Sequence, residues 1–310
     1  MVGSLTKLLA ALAVDLLWGE PPPVLHPVVW VGRAVTALER RAPKENASAE
    51  LAYGGAMALM LGAASWLPAR LLALRKESPG VLRVLVEVYL LKCSFAFREL
   101  WQAAERVRRS LSEGRLDKAR DDLKHLVSRD TSELTKEQVA SAAVESVAEN
   151  LSDSFIAPLL YYRLFGVPGV LLYRTVNTMD AMIGYHGSYE YLGKVAARLD
   201  DVLNYIPARL AALLIALACF WTGENQAAAR RVMLRDRGKT ESPNAGWPMS
   251  AMAGALGVEL EKVGHYRLGE ASEPMSPGKI NQAMKVAAVA GALGVALFTL
   301  SEVISDGNRS

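Results

Sequence analysis

Residues 129–153 read RDTSELTKEQVASAAVESVAENLSD, and this stretch contains a regular series of acidic side chains. Glu145, Glu149 and Asp153 recur every four residues, so an α-helix would align them on one face. The rest of that helix is small and apolar, which makes the acids a stripe on an apolar background. Like charges four residues apart cost roughly 0.2–0.5 kcal/mol per pair in water. The stripe therefore predicts a divalent metal or a cationic ligand, and the alternative is a solvated helix face.

The boundaries of this helix can also be predicted. Thr135, with Glu137 and Gln138 close behind it, is the predicted N-terminal cap. Beyond the acids, residues 155–173 are almost free of charge but are interrupted by Gly166 and Pro168. This interruption predicts a helical hairpin or a re-entrant segment, not a straight span.

The composition of the chain favours a membrane protein with a sizeable polar part. Of its 310 residues, 51% are hydrophobic, and the mean hydropathy is +0.16. Residues 51–69 carry no charge and are long enough to cross a bilayer. The net charge of +3 is too small to indicate a nucleic acid partner. The two cysteines and four histidines have no spacing typical of a disulfide framework or a zinc site.

We therefore predict an all-α fold, a polytopic membrane helical bundle that forms one membrane-embedded domain over residues 1–310. Within it, residues 98–134 read as a water-exposed helical hairpin of two amphipathic helices broken at Gly114. Six full spans would place the loops 19–52, 98–154 and 222–285 together on the cytoplasmic side, because these loops hold most of the Lys and Arg.

Residues 174–201 would then face the side opposite to the acidic stripe. If residues 174–201 and the acidic stripe build one site, one apolar segment must not cross the membrane. We predict that this segment is 155–173. If 155–173 alone did not cross, the basic loop that follows would be moved to the other side of the membrane. The crossing of a second segment would therefore have to change as well.

Three polar residues share one broad helical face in the segment after residue 173. Arg174, Asn177 and Asp180 follow each other at intervals of three among apolar residues. A buried arginine suits bidentate contact with a phosphate or a carboxylate. The alternative is a structural ion pair of Arg174 with Asp180 or with the acidic stripe.

A second cluster, Asp200-Asp201-Val-Leu-Asn204, places two carboxylates and an amide within about one turn. Such a cluster can hold Mg²⁺ on a pyrophosphate. The alternative is a helix start with Asn204 as the capping residue. Arg198 and Arg209 flank the cluster and favour an anionic ligand.

Other polar sites are read more simply. Asp130 beside Arg129 fits a turn as well as it fits a catalytic site. The segment from Glu20 to His26 is typical of a rigid proline turn. Asn244 lies in a tight turn from which it could position a ligand. The chain has no P-loop and no dinucleotide-binding glycine fingerprint.

Several long motifs occur in one order along the chain. They are Asp15 with GEPPPVLHPV, then SRDTSEL, AAVESVAENLSDSFIAPL, YRTVNTMDAMIGY, AARLDDVLNYIPARL, SPNAGWPMSAMAGALGV and LEKVGHYRLG. Over essentially its whole length, the chain resembles the cobinamide-phosphate synthase family of cobalamin biosynthesis (CbiB/CobD type). Glu20 stands where this family is expected to have aspartate, a departure that keeps the charge.

The resemblance implies a multi-pass ligase of the cell membrane. It would join a propionate carboxylate of adenosylcobyric acid, a corrinoid, to the amine of (R)-1-amino-2-propanol or of its O-phosphate. The reaction would use ATP and Mg²⁺. The lipid bilayer is the other partner, and a homo-oligomer is compatible with the sequence.

On this basis each polar residue receives a predicted role. The predicted metal ligands are Glu145, Glu149, Asp153, Asp200 and Asp201. The residues predicted to bind substrate or phosphate are Arg129, Asn150, Arg174, Asn177, Arg198, Asn204, Arg209 and Asn244. The predicted catalytic residues are Asp130, Glu145, Glu149 and Asp180, with Asp130 or Asp180 as the base towards the amine.

Two other functions fit the residues alone. One is a membrane prenyl- or phosphoalcohol-transferase that uses Mg²⁺ on a diphosphate. The other is a transporter with intramembrane acids as coupling sites. The large polar loops and the lack of internal hydropathy symmetry disfavour the transporter.

Overall fold

The structure, a computed structural model, describes residues 3–43, 46–74 and 80–307, without the side chains of 303–307. Helices dominate the described residues, which confirms the predicted all-α class; the one sheet there is a short hairpin. The first helices are α1 (Ser4–Trp18), α2 (Pro27–Glu39), α3 (Ala47–Leu74), α4 (Gly80–Lys92), α5 (Phe97–Ser112), α6 (Leu116–Leu123) and α7 (Lys136–Leu151). A π-helical turn (Ser152–Ile156) follows, and then α8 (Ala157–Ile183), α9 (Lys194–Leu203), α10 (Tyr205–Thr222), α11 (Gln226–Asp236), α12 (Gly246–Leu256), β1 (Glu259–Lys262), β2 (Tyr266–Gly269) and α13 (Pro277–Gly307).

The chain divides into two compact units, each made from two separate parts of the sequence. The first unit comprises Met1–Ala96 and Ala157–Leu203, and the second comprises Phe97–Ile156 and Asn204–Ser310. The predicted single domain over residues 1–310 stays a prediction.

Four helical runs within the described residues are long and apolar enough to cross a membrane: Ala47–Leu74, Lys136–Ile183, Tyr205–Thr222 and Pro277–Glu302. The chain thus has the helices of a membrane protein. α1 and α4 contain 15 and 13 residues, fewer than the roughly 20 that span a bilayer. Within the described residues, four of the six expected spans therefore remain as candidates.

In the first unit, α8 packs against α2, α3, α4 and α9. The helix bends sharply at Gly166, which has φ +66° and ψ −160°. The rings of Tyr161 and Tyr173, on opposite sides of the bend, stack with centroids 5.0 Å apart. In a straight helix their Cα atoms would be about 18 Å apart. The prediction that this segment is not a straight span is confirmed.

In the second unit, α7 is the central helix. Thr135 caps its start, as predicted, and forms a capping box with Gln138. Every residue from Val139 to Ala148 is buried, because α5, α12, α13 and β1 all pack around this helix. A helix enclosed on all sides needs apolar or small residues all round, which explains the unusual background of the acidic stripe.

Two features flank α7. α5 and α6 are separated at Gly114, whose φ is +74°, so the predicted break of the helical hairpin is confirmed. β1 and β2 pair antiparallel with Glu259 opposite Gly269, and β1 packs on α7. The sequence analysis did not predict this β-hairpin.

Candidate functional site

The carboxylate of Glu145, in the middle of α7, is 5% exposed and has three hydrogen-bond donors. Arg129 Nη2 lies 3.3 Å from Oε2, and the Tyr266 hydroxyl donates to the same oxygen over 3.1 Å. The Ser141 hydroxyl donates to Oε1 over 3.0 Å. Glu145 therefore does not lie on a solvated face, and its negative charge is balanced by Arg129.

Three segments bring these groups together. Arg129 comes from the connection before α7, Ser141 and Glu145 from α7, and Tyr266 from β2. The Ser141 hydroxyl also accepts the backbone N–H of Glu261 over 2.9 Å, so α7 and the β-hairpin are joined at two points. We call Arg129, Ser141, Glu145 and Tyr266 the Glu145 cluster.

The electrostatics of the Glu145 cluster favour a neutral phenol. Burial raises the pKa of Tyr266, and the charges of Glu145 and Glu149 raise this pKa further. Tyr266 is thus a hydrogen-bond donor at ordinary pH. Arg129 keeps a buried Nε with no hydrogen-bond partner among the described residues, so its guanidinium retains capacity for an additional anion.

The remaining members of the acidic stripe differ from Glu145. Glu149 is half-buried, and its charge acts on Tyr266. Asn150 donates to Ser146 O over 3.0 Å and accepts from the Ser154 hydroxyl, so it is engaged within its own helix.

The predicted stripe does not continue as one regular α-helix. α7 ends at Leu151, and Asp153 lies in the π-helical turn Ser152–Ile156. A π-helix bonds residue i to i+5, so the helical geometry changes between Glu149 and Asp153. The predicted alignment of the three acids on one face stays a prediction. π-Helical turns are frequent at functional sites.

Arg209 and Asn244 form one assembly in the second unit. Arg209 Nη1 donates to Asn244 Oδ1 over 3.1 Å and to the Tyr205 carbonyl over 2.7 Å. The guanidinium lies 3.5 Å from the centroid of the Tyr205 ring and 4.6 Å from that of Trp247. Asn244 is 5% exposed. Trp247 and Met249 both lie in the first turn of α12. Because Met249 Sδ lies 3.8 Å from the Tyr266 hydroxyl, this turn connects the Arg209–Asn244 assembly with the Glu145 cluster.

In the first unit, α8 and α9 bring a second predicted group together. Arg174 Nη1 donates to Asn177 Oδ1 over 3.0 Å, and Asn177 Nδ2 donates to Asp200 Oδ1 over 3.3 Å. Asp200 is 8% exposed. Arg174 Nε is buried and has no hydrogen-bond partner among the described residues.

The two adjacent aspartates of α9 have different partners. Asp200 accepts from Asn177, whereas Asp201 lies 3.4 Å from Arg198 Nη1. Burial raises the pKa of Asp201, and Arg198 opposes this rise. Asn204 occupies the N-cap position of α10, as the alternative interpretation predicted, but its side chain makes no capping hydrogen bond.

The two candidate bases lie in different units and surroundings. Asp130 is exposed and accepts the Ser132 backbone N–H over 2.9 Å, and hydrogen bonds from Ser132 hold the pKa of Asp130 below its ordinary value. This arrangement is the predicted turn, and it makes Asp130 a weak base. Asp180 is half-buried, and its carboxylate folds over Gly184, where a Cβ would lie 2.0 Å from Asp180 Oδ1.

A further ionic cluster in the first unit includes Glu20 and His26, which the sequence placed in a rigid proline turn. Lys92 is 2% exposed, and its Nζ lies 2.7 Å from Glu20 Oε2 and 3.6 Å from Asp15 Oδ1. His26 Nε2 lies 2.8 Å from the same Glu20 oxygen, while its Nδ1 accepts the Val28 N–H. Neutral His26 therefore carries its proton on Nε2. The sequence feature that indicates this cluster is Lys92, because a charged residue within an apolar helix requires a partner.

The predicted residues thus fall into separate groups within each unit, and the single pocket that would contain all of them stays a prediction. Comparison with known proteins adds the identity of the family. The family model described as "CobD/Cbib protein" matches residues 8–296. The chain belongs to the CobD/Cbib family.

Individual relatives of the CobD/Cbib family agree with this match. The "Cobalamin biosynthesis protein CobD" of Dehalococcoides mccartyi (strain CBDB1) is 45% identical over 93% of this chain and 94% of its own length. The "Probable cobalamin biosynthesis protein CobD" of Methanothermobacter thermautotrophicus is 40% identical over 97% of both chains. The "Cobalamin biosynthesis protein CobD" of Klebsiella pneumoniae subsp. pneumoniae is 39% identical over 92% of this chain and 93% of its own length. No solved structure matches the chain.

The quoted motifs of this CobD/Cbib member contribute to the clusters described above. Arg129, Glu145 and Tyr266 come from three motifs that are far apart in sequence, and they meet in the Glu145 cluster. Arg209 and Asn244 come from two further motifs and also meet. The motifs therefore mark residues that the fold brings into contact within the second unit.

The donor set for a metal is limited. Within the described residues, no group of three or more His, Cys, Asp or Glu side chains is placed to hold a metal ion. Glu145 already accepts three hydrogen bonds. Mg²⁺, however, is commonly bound by one or two carboxylates together with substrate phosphates and water. Glu149 in the second unit and Asp201 in the first are both partly exposed. Each could therefore supply the single carboxylate that such a Mg²⁺ site needs.

Proposed function

We propose that this protein is an adenosylcobinamide-phosphate synthase of the cell membrane. It would join adenosylcobyric acid to (R)-1-amino-2-propanol or its O-phosphate in an ATP-dependent amide ligation. The observation that carries this proposal is the match over nearly the whole chain to proteins named for cobalamin biosynthesis. The helices of a membrane protein support the proposed location.

The proposed chemistry requires an activated carboxylate. A carboxylate oxygen of the corrinoid acid attacks the terminal phosphorus of ATP, which gives an acyl phosphate and ADP. The amine then attacks the acyl carbon, inorganic phosphate leaves, and the amine loses one proton to a base. Both steps need cations near phosphate oxygens, and the second step also needs a proton acceptor near the amine.

The Glu145 cluster supplies groups of this kind. Arg129 has a buried Nε with no hydrogen-bond partner in the described part of the chain, and this guanidinium suits a phosphate oxygen. Glu145 and Ser141 hold the surrounding segments in place, so we assign Glu145 a positioning role. Glu149, half-buried beside Tyr266, is the better proposed contact for Mg²⁺ or for the amine. Bound Mg²⁺ would screen the phosphate charges.

The test is product formation by the purified protein. We would incubate it with adenosylcobyric acid, ATP and Mg²⁺, adding either aminopropanol or its phosphate, and analyse the products by mass spectrometry. The proposal expects an amide product whose mass identifies the amine used, together with ADP and phosphate. Release of pyrophosphate without amide formation would identify a transferase instead.

Two substitutions test the proposed metal contacts. Glu149→Gln and Asp201→Asn should each lower the rate of amide formation at least tenfold, roughly the effect of one lost charged contact. Glu133→Gln, an exposed acid outside the clusters, is the matched control and should retain the rate. Full activity in both test variants would remove the metal assignment while leaving the reaction itself intact.

A further inference from the structure

An apolar groove of about 430 Å³ lies within the first unit, between α2, α3 and α8. Its walls include Val31, Ala64, Pro68, Leu72 and Leu171. The groove lies along a helix that is long and apolar enough to cross a membrane.

The groove has one charged group. Among the described residues that line it, Arg174 alone carries a charge. The two hydroxyl groups there are already engaged, since Thr175 donates to Ser65 over 2.7 Å and Ser65 donates to the Leu61 carbonyl. Arg174 Nε, in contrast, is buried and has no hydrogen-bond partner within the described residues. A ligand of this groove should therefore combine apolar length with an anionic group.

The dimensions match one leaflet of a bilayer. The lining residues of α3 extend from Leu61 to Leu72, which corresponds to about 16 Å at the helical rise. This is roughly half of the ~30 Å hydrocarbon core. Trp30, at the edge of the groove, is 51% exposed, and Trp66 of α3 is 39% exposed. Tryptophan is enriched where the hydrocarbon core meets the headgroups.

We propose that this groove binds one anionic phospholipid, with an acyl chain between α2, α3 and α8 and the phosphodiester at Arg174. The guanidinium would donate to phosphate oxygens in a charge-assisted contact. From the sequence, Arg174 is predicted to bind a substrate phosphate, whereas the apolar walls of the groove favour a lipid phosphate. The proposal is independent of the catalysed reaction, because it concerns binding in the absence of substrates.

The test uses native mass spectrometry of the delipidated protein in detergent. Phosphatidylglycerol and phosphatidylcholine with the same acyl chains are added separately, and bound lipids are counted. The protein should bind one phosphatidylglycerol, with roughly tenfold preference over phosphatidylcholine, because both lipids carry the phosphodiester but the quaternary ammonium of phosphatidylcholine offsets its charge and is repelled by Arg174. Equal binding of both lipids would overturn the proposal, and so would displacement of the lipid by an equal concentration of glycerol phosphate.

Neighbouring alanines of α3 provide a matched pair of variants. Ala64→Phe places a ring in the groove and should abolish lipid retention, whereas Ala63→Phe, exposed on α3 and outside the groove lining, should retain it. Arg174→Gln should remove the preference for phosphatidylglycerol. Equal retention by the two phenylalanine variants would overturn the proposal. A lipid-free dimer that only Ala64→Phe dissociates would identify a second copy of the chain as the occupant and would also overturn it.

Discussion

The hydroxyl of Tyr266 donates a hydrogen bond of 3.1 Å to Glu145 across 121 positions of the sequence. This contact joins the β-hairpin to the most buried acid of α7. We expect Tyr266→Phe to lower the free energy of unfolding by about 1–3 kcal/mol, because a buried carboxylate loses a donor. Thermal unfolding in detergent measures the effect. Tyr191→Phe, at a site 42% exposed, is the control, and equal melting temperatures of the two variants would contradict the prediction.

Lys92 is the cation of a buried cluster, with Glu20 and Asp15 as its partners. Lys92→Met should destabilise the protein by about 3–5 kcal/mol, because it removes the lysine cation from the buried Asp15 and the half-buried Glu20. The free thiols of Cys93 and Cys219 are buried, so a thiol-reactive dye reports unfolding. Adding Glu20→Gln to Lys92→Met should recover part of the loss. A melting temperature of Lys92→Met equal to that of the exposed control Lys118→Met would refute this reading of the cluster.

Acid should weaken the same cluster. Burial would raise the pKa of Glu20, but hydrogen bonds from His26 and Lys92 outweigh it and hold this pKa below the ordinary value of 4.5. A carboxyl with a lowered pKa stabilises the fold fully above its unfolded-state pKa, and this stabilisation is lost as the pH falls through the folded-state pKa. The difference in melting temperature between the natural protein and Glu20→Gln should therefore be constant near neutral pH and shrink in acid. A difference that grows in acid would mean that the sign of this shift is wrong.

Gly166 has a positive φ that an L-residue rarely adopts. Gly166→Ala should cost about 1–3 kcal/mol of stability through backbone strain. Gly238→Ala is the control, since that glycine has neither a positive φ nor an atom within 4 Å of an added Cβ. Thermal unfolding of both variants provides the measurement, and similar values would show that the bend tolerates a side chain.

Local signals in the sequence predicted local structure well. The helix cap at Thr135, the helix break at Gly114 and the bend at Gly166 each follow from residues within a few positions of one another. The inverted polarity of α7 also has a structural basis, because four elements enclose this helix. Such patterns are readable because their causes, namely caps, glycine conformations and periodicity, act over short stretches of chain.

Contacts between distant segments could not be predicted in this way. The pairing of Arg209 with Asn244 spans 35 positions, and Lys92 meets Glu20 across 72. The π-helical turn that contains Asp153 was not predicted from the periodicity either. The β-hairpin was missed because its strands contain only four residues each. In each case the partner or the helical geometry depends on tertiary packing.

The bend at Gly166 also affects how membrane orientation is assigned. A crossing is usually inferred from a straight apolar run of about 20 residues, and each arm of α8 is shorter than that. Orientation rules assign loops alternately to the two sides of a bilayer. Treating α8 as a bent segment instead of one crossing changes the parity of the count. Taken alone, this change would invert the predicted sidedness of every loop after Ile183, so the basic loop 222–285 keeps its predicted side only if a second segment also changes.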